Sequence, residues 1–309
     1  MNRDDFIIHV YCLVCEHYDL LLRELPHGVR RGGFAPALSD CEAITIEVCG
    51  ELMKMNDDVD LFTYFKTHYQ AWFPHLRERS LFVRQCAGLW QVKAHIQRSL
   101  VACSGWADDP VQSVDTLPLP VCHKARRFVE RCFQGQADDG YCSSKKEFYY
   151  GFKLGLRIAR CGLITHYELL SARPHDVNSL ETLVEGLNAP PGGTILVPAD
   201  KGFVDARRAA LLKQRRGITL VTNPRQGAKR KMKAEHPKPL LQACAHWRKL
   251  IETVNAHLTG RFDIARIRVR DLWHLQHRII RKILAHTIAV CLNLMLGRKP
   301  LDISGLVNG

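Results

Sequence analysis

The spacing of apolar residues changes at Val111, and this change limits the folds open to the chain. Before that point, apolar residues recur every three or four positions, as they do in amphipathic helices. Between residues 111 and 222 they form five short strand-like runs, with helical segments before the fourth and the fifth. Strands alternating with helices indicate the α/β class. We predict a helical N-terminal region, residues 1–105, and a mixed-sheet domain with C-terminal helices, residues 106–300.

The boundaries of several elements can be predicted from capping residues and prolines. Ser39 and Glu42 form a capping box that predicts the start of a helix, and one longer helix is predicted over residues 80–101. Pro118 and Pro120 predict the end of the first strand. The first three strands are expected to be antiparallel and the last two, joined by a helix, parallel. The N-terminal helices fit either a helix-turn-helix module that reads DNA or a helical bundle, and their spacing leaves both open.

Positive charge is concentrated in one segment of the chain. The formal net charge is +13, and residues 206–249 contain thirteen lysines and arginines against one acidic residue, Glu235. A basic block of this size suits binding to a phosphate backbone, because neutralised phosphates release counterions. Binding to a membrane surface is the alternative. We therefore predict a nucleic acid, DNA or RNA, as the partner.

The cysteines and the apolar runs bear on the cellular compartment. The twelve cysteines are scattered, and only Cys12 and Cys15 form a C-x-x-C pair, with no second pair at zinc-finger spacing. Acidic residues precede the first apolar run, which is not typical of a secretory signal. The longest apolar run, residues 283–296, is too short to cross a bilayer. We predict a reduced, cytosolic protein without a membrane segment.

Three carboxylates are notable for where they occur. Glu252 lies on an amphipathic helix predicted over residues 238–260, Asp115 lies in the first strand-like run, and Asp200 ends the fourth. Ordinary structural roles are available: Glu252 can pair with Arg248 one turn before it. Asp115 can be a turn aspartate, and Asp200 can cap the following helix. Together, however, two acids on rigid strands and one on a late helix suit two-metal phosphoryl transfer, since hard divalent cations prefer oxygen ligands.

Each of these acids lies in a longer motif. The motifs read SVDTLPLPVCHKARR, ILVPADKGFVD and WRKLIETVNAHLTGRFDIARIRVRDLW. Together they resemble the three catalytic blocks of the DDE transposases of bacterial insertion sequences, and LSDCEAITIEVCGEL resembles the helical front end of the nine-eighty-two group. The resemblance implies a ribonuclease-H-like core with Mg²⁺ as the cofactor, for which Mn²⁺ can substitute. It implies double-stranded DNA as the partner, namely terminal inverted repeats and target DNA. It also implies a homodimer on paired ends, in the bacterial cytoplasm with the nucleoid.

The resemblance also assigns roles to individual residues. The implied catalytic residues and metal ligands are Asp115, Asp200 and Glu252. Arg248 matches the arginine of a wider Tyr-Arg-Glu-Lys signature, whereas Ala245 and Thr259 replace its tyrosine and lysine. The residues expected to contact DNA are Lys201, Arg248, Lys249, Lys229, Arg230, Lys231, Lys233 and Arg261.

Three other functions stay open at this point. A nuclease on the same fold would cut DNA without joining it. A domesticated or inactive descendant of a transposase would bind DNA without catalysis, although all three acids are present. A zinc-dependent regulator would use His9, Cys12, Cys15 and His17, which lack a second half-site.

Overall fold

The structure is a computed structural model that describes residues 1–25, 27–30, 32, 35–142, 145–222, 236–266 and 268–307. In chain order the α-helices are α1 (Arg3–Glu24), α2 (Asp40–Leu52), α3 (Asp58–His68), α4 (Arg79–Gly88), α5 (Trp90–Cys103), α6 (Leu180–Leu183), α7 (Ala206–Arg216), α8 (Lys238–Ala256) and α9 (Leu272–Met295). The strands are β1 (Gln112–His123), β2 (Asp138–Cys142), β3 (Glu147–Ala159), β4 (Ile164–Ser171), β5 (Ile195–Ala199) and β6 (Ile218–Thr222). The predicted class, mixed α/β with helices at both ends, is confirmed.

The chain forms two compact units, which we describe separately. The first contains the residues up to Ser104, Leu258–Ile264 and the C-terminal segment from Arg268 onwards. The second consists mainly of Gly105–His257. Helix α9 therefore belongs with the N-terminal helices, whereas the sequence-based division assigns it to the second region. That division into domains stays a prediction.

The first unit is helical, and α9 packs against α2 and α5. The predicted capping box at the start of α2 is present: the Ser39 hydroxyl accepts from the backbone N–H of Glu42, whose carboxylate accepts from the backbone N–H of Ser39. The prediction of one helix over residues 80–101 is wrong. Helix α4 ends at Gly88, and the backbone N–H of Leu89 bonds to two carbonyls of the preceding turn. Glycine has low helix propensity, which explains a break at this position.

A group of charged side chains is buried among α2, α5 and α9, and we call it the buried charge cluster. It consists of Glu47, Glu51, Lys93, Arg281 and Lys282, each no more than 4% exposed. The Lys93 ammonium lies 2.5 Å from Glu47, and Arg281 Nε lies 2.6 Å from Glu51. Both oxygens of Glu51 also accept from Lys282 at 3.0 Å. Buried charges require such partners, because desolvation disfavours each of them alone.

His277 lies against the buried charge cluster. Its Nδ1 is 2.9 Å from the Lys93 ammonium, and its Nε2 is 3.4 Å from Glu47. Burial, followed by the charges of Lys93 and Arg281, lowers the pKa of His277 well below its usual value. The imidazole is therefore neutral in the folded protein at neutral pH.

The second unit contains the sheet. Strand β3 pairs antiparallel with β1, β2 and β4, with Leu156 of β3 opposite Asp115 of β1. Strands β5 and β6 are parallel, and an isolated parallel bridge between Val111 and Leu196 joins the start of β1 to β5. The predicted pairing, antiparallel first and parallel later, is confirmed. Strand β2 was missed by the sequence analysis.

Strand β1 does not end at its prolines, so that prediction is wrong. Pro118 and Pro120 both lie within the ladder with β3, which continues past a bulge to His123. They are two residues apart, so their backbone nitrogens face the same edge. In the described part of the chain, no strand pairs with Pro118 or Pro120 at the edge of β1 that faces away from β3. The missing N–H groups therefore remove no hydrogen bond from a ladder. The bulge requires glycine at Gly151, where a Cβ would lie 2.3 Å from a β1 carbonyl oxygen.

Helix α8 packs on β1, β5 and β6. Pro239 lies in its first turn, where the missing N–H has no intrahelical partner to lose. Cys244, Ile251 and Val254 are its buried residues. Helix α8 therefore lies against the strand that contains Asp115 and the strand that Asp200 follows. Among the described helices, none is long and apolar enough to cross a membrane.

Candidate active site

The three acids predicted to be catalytic lie on elements that pack together. Asp115 is in the middle of β1, Asp200 directly follows β5, and Glu252 is on α8. Asp115 is therefore not a turn residue. Asp200 does not cap α7 either, because that cap is Asp205, whose carboxylate accepts from the backbone N–H of Arg208 at 3.0 Å.

Arg248 lies between two of these acids. Its NH2 atom donates to Asp200 Oδ1 at 2.9 Å and lies 3.9 Å from Glu252 Oε1. The guanidinium is 21% exposed, while Asp200 and Glu252 are 54% and 64% exposed. The two acids are thus open to solvent, and the single cation between them offsets only part of their charge.

The carboxylate of Asp115 is held by two donors. Its Oδ1 accepts from the backbone N–H of Thr116 at 2.8 Å, and its Oδ2 accepts from the side-chain amide of Asn255 at 2.9 Å. Burial raises the pKa of Asp115 to about 6; the bond from Thr116 opposes this rise, the charge of Asp200 adds to it, and Arg248 opposes it. The protonation of Asp115 therefore depends on the charges of both Asp200 and Arg248.

A fourth carboxylate, Asp176, lies beside these residues. Its Oδ1 accepts from the Thr116 hydroxyl and from the Lys153 ammonium, both at 2.9 Å. Its charge also raises the pKa of Asp115. A Cβ on Gly202 would lie 3.2 Å from Asp176 Oδ2, so Asp176 borders the turn that follows Asp200. Because Lys153 is its partner, Asp176 adds less negative charge to the site than a free carboxylate would.

The structure describes some of the residues predicted to contact DNA. Arg248 lies at the acids, as described above. Lys201 directly follows Asp200 and is partly exposed, and Lys249 is exposed on α8. The positions of Lys229, Arg230, Lys231 and Lys233 lie outside the described residues.

Arg261 belongs to the first unit, and its contacts there are structural. Its guanidinium donates to the backbone carbonyl of Leu52, at the C-terminus of α2, at 2.5 Å, and to the Ser304 hydroxyl at 3.4 Å. Burial lowers the pKa of Arg261. A cation at a helix C-terminus stabilises the helix dipole. A DNA contact by Arg261 stays a prediction.

The donor set of the site fits a hard divalent cation. The only ligand atoms that the side chains of Asp115, Asp200 and Glu252 offer are oxygens. The Arg248 guanidinium shows that Asp200 and Glu252 stabilise a positive charge placed near them. Within the described ranges, however, no group of three or more histidine, cysteine, aspartate or glutamate side chains is arranged to hold a metal ion. Binding would thus require these side chains to move towards one another.

The zinc alternative gains no support from the structure. Among the residues that the structure describes, no group of three or more potential metal ligands lies at the N-terminal cysteines. His9 Nδ1 lies 2.6 Å from the backbone carbonyl of Asp5, and His17 Nδ1 lies 2.8 Å from the Ser99 hydroxyl. Both imidazoles are engaged within the helical unit.

Sequence reasoning missed four residues at the site: Asn255, Thr116, Asp176 and Lys153. Asn255 follows Glu252 by three residues on α8, so helical spacing alone could have placed it on the face of that acid. Asp176 and Lys153 come from a loop and from β3, and no local signal connects them with Asp115.

Comparison with known proteins agrees with the geometry. A family model described as "Transposase DDE domain" matches residues 107–272, a range that includes the three acids, Arg248 and Asn255. Neither the curated proteins nor the solved structures include a match.

Proposed function

The chain belongs to the family of transposases with a DDE domain, and on this premise we propose that it is the transposase of a bacterial insertion sequence of the nine-eighty-two group. Its substrates would be double-stranded DNA: the terminal inverted repeats of its own element and a target DNA. It would act in the bacterial cytoplasm on DNA of the nucleoid. Two copies would hold the paired ends as a homodimer.

One observation carries the proposal. Asp200 and Glu252, 52 residues apart in the chain, lie 2.9 and 3.9 Å from the same guanidinium atom, NH2 of Arg248, while the charges of Asp200 and Arg248 act on Asp115 of a third element. Three carboxylates near one guanidinium leave the site with more negative than positive charge. Sites that hold divalent cations do require such an excess of carboxylate.

The strand pairing supports a ribonuclease-H-like core for the second unit. Three antiparallel strands, β4, β3 and β1, are followed by the parallel pair β5 and β6, with the Val111–Leu196 bridge joining β1 to β5. The acids of such a core would lie on its first strand, after its fourth strand and on a later helix. Counted over β1, β3, β4, β5 and β6, the first strand is β1 and the fourth is β5. Asp115, Asp200 and Glu252 have these positions.

The proposed chemistry is a pair of phosphodiester exchanges. Water would attack a phosphodiester at the end of the element and break its bond to the 3′-oxygen, which frees a 3′-hydroxyl and leaves the phosphate on the 5′ end of the other fragment. That hydroxyl would then attack a phosphodiester of the target, forming a new P–O bond to the target's 5′ side and displacing the target's 3′-oxygen as a hydroxyl. Mg²⁺, or Mn²⁺ in its place, would activate the attacking oxygen and stabilise the leaving one. Asp115, Asp200 and Glu252 would hold it. The three carboxylates act as ligands, so no covalent intermediate with the protein forms.

The cations around the acids would position the DNA. Arg248 can donate to a phosphate oxygen in the same forked way in which arginine binds carboxylates. Lys201 and Lys249 would contact neighbouring phosphates, which fixes the register without reading sequence. We extend the same role to Lys229, Arg230, Lys231, Lys233 and Arg261 on the sequence pattern alone.

A strand-joining assay tests the function. Purified protein is incubated with Mg²⁺, a labelled duplex that carries the DNA flanking the gene, and an unlabelled supercoiled plasmid. A transposase transfers the label to the plasmid. Cut duplex without any joined product would indicate a nuclease, and bound but intact duplex would indicate a domesticated DNA-binding protein; either result overturns the proposal.

A further inference from the structure

We propose that Asn255 is a positioning residue for Asp115, and that its amide sets the carboxylate of the first acid relative to the helix that carries the third. The inference rests on the proposed function, because it assigns Asn255 a task in preparing the metal site. This residue was given no role in the sequence analysis.

The contact that carries the inference is direct. Asn255 Nδ2 donates to Asp115 Oδ2 at 2.9 Å, across 140 positions of the chain, and both side chains are partly buried. A bond of this length to an ionised acceptor is among the stronger hydrogen bonds in proteins. The bond connects α8 to β1, and its acceptor is a predicted metal ligand.

The second donor to Asp115 comes from its own strand. Because the backbone N–H of Thr116 occupies Oδ1 and Asn255 occupies Oδ2, the carboxylate cannot rotate without breaking one of the two bonds. A carboxylate has about four acceptor positions. About half of them therefore stay available for a cation, in a fixed direction.

Helix α8 presents Asn255 together with two charged residues of the site. Arg248, Glu252 and Asn255 are spaced by four and three positions, so they lie on one face of the helix. The adjacent face is anchored by the buried Ile251 and Val254. Any shift of α8 relative to β1 would thus move Glu252 and the donor to Asp115 together.

An uncharged donor is the chemistry that this place requires. A lysine or arginine at position 255 would compete with a metal ion for the carboxylate, and an aspartate or glutamate would add to the negative charge that Asp200 and Asp176 already place near Asp115. An amide fixes the carboxylate and leaves its charge for the cation.

The test measures Mn²⁺ binding, by electron paramagnetic resonance of free Mn²⁺, in the full chain without DNA. Asn255→Leu keeps the side-chain size and removes the donor; Asn255→Ala carries the test if the leucine variant does not fold. Loss of a group that orients a metal ligand typically weakens binding roughly 10- to 100-fold, and we expect this for both variants. Thr253→Val is the matched control: among the described residues the Thr253 hydroxyl bonds to a backbone carbonyl of its own helix, and the variant should bind Mn²⁺ like the wild type.

A double-mutant cycle separates positioning from a general effect on folding. If Asn255 acts through Asp115, then Asn255→Leu added to Asp115→Asn causes no further loss of Mn²⁺ affinity. Wild-type affinity in Asn255→Leu overturns this inference and leaves the proposed function intact. A further loss in the Asp115→Asn background also overturns it. A wild-type protein that binds no Mn²⁺ overturns the inference and the proposed function together.

Discussion

Replacing Glu51 with glutamine is expected to destabilise the first unit strongly. The substitution keeps the shape of the side chain but removes the negative charge that Arg281 and Lys282 share in the buried charge cluster. These cations are 2% and 4% exposed, so water cannot replace the lost partner. Burial lowers the pKa of Lys282 while Glu51 raises it. In the variant Lys282 loses that support, and we expect the destabilisation to be smaller at pH 9 than at pH 7, because a neutral amine is less costly to bury.

The size of the effect follows from the loss of one partner in a buried ion pair. Such a loss costs about 3–5 kcal/mol, a large part of the roughly 5–15 kcal/mol that stabilises a typical domain. With roughly 2–4 °C per kcal/mol for a unit of about 150 residues, the melting temperature should fall by roughly 6–20 °C. Thermal unfolding followed by circular dichroism measures this fall.

A surface glutamate provides the matched control. Glu24, in the same unit, is 68% exposed and lies 3.8 Å from His95 Nε2. Glu24→Gln should change the stability by no more than about 0.5 kcal/mol. If the free energy of unfolding of Glu51→Gln is within about 1 kcal/mol of the wild-type value, the buried charges do not stabilise one another as the structure indicates.

Three further predictions concern pH and charge. The pKa of His277 is lower in the folded than in the unfolded state, so unfolding takes up a proton below about pH 6.5. The free energy of unfolding should therefore decrease as the pH is lowered, by up to about 1.4 kcal/mol per pH unit. Chemical denaturation between pH 7 and 5.5 should show a smaller fall in His277→Gln, and an equal fall would contradict the assignment. Since the pKa of Asp115 is raised to about 6, a proton competes with metal below that pH. The apparent Mn²⁺ affinity should then drop about tenfold per unit, and pH-independent binding would refute this. Removing the cation 2.9 Å from Asp200 in Arg248→Gln should strengthen Mn²⁺ binding without DNA by about tenfold and weaken DNA binding. Lys249→Gln, on the same helix, should weaken DNA binding without changing Mn²⁺ affinity.

Local sequence signals predicted much of the fold because they depend on short-range physics. The capping box at Ser39 and the helix from Lys238 follow from residues within a few positions of one another, and the parallel pair β5 and β6 follows from the helix that joins the two strands. The errors arose where the environment decides. Pro118 and Pro120 fit inside β1 because no described strand pairs with its other edge there, and that edge cannot be identified from the residues of β1.

The site divides in the same way. The types and positions of Asp115, Asp200 and Glu252 were sufficient to select them, because the chemistry demands oxygen ligands on rigid elements. Their partners were not predictable to the same degree. The pairing of Arg248 with Asp200 rather than chiefly with Glu252 depends on how α8 packs on the sheet. The buried charge cluster was missed altogether, since its members come from three helices far apart in the chain.

The most direct test of the proposed active site is nicking of a labelled duplex that carries the end of the element, in Mn²⁺, by the wild type and by Asp115→Asn, Asp200→Asn and Glu252→Gln. Each substitution preserves side-chain shape and removes one carboxylate charge. The predicted result is metal-dependent nicking by the wild type and its loss in all three variants, each still folded and still bound to the duplex. Nicking that persists in any one of the three variants would contradict a shared site built from these acids.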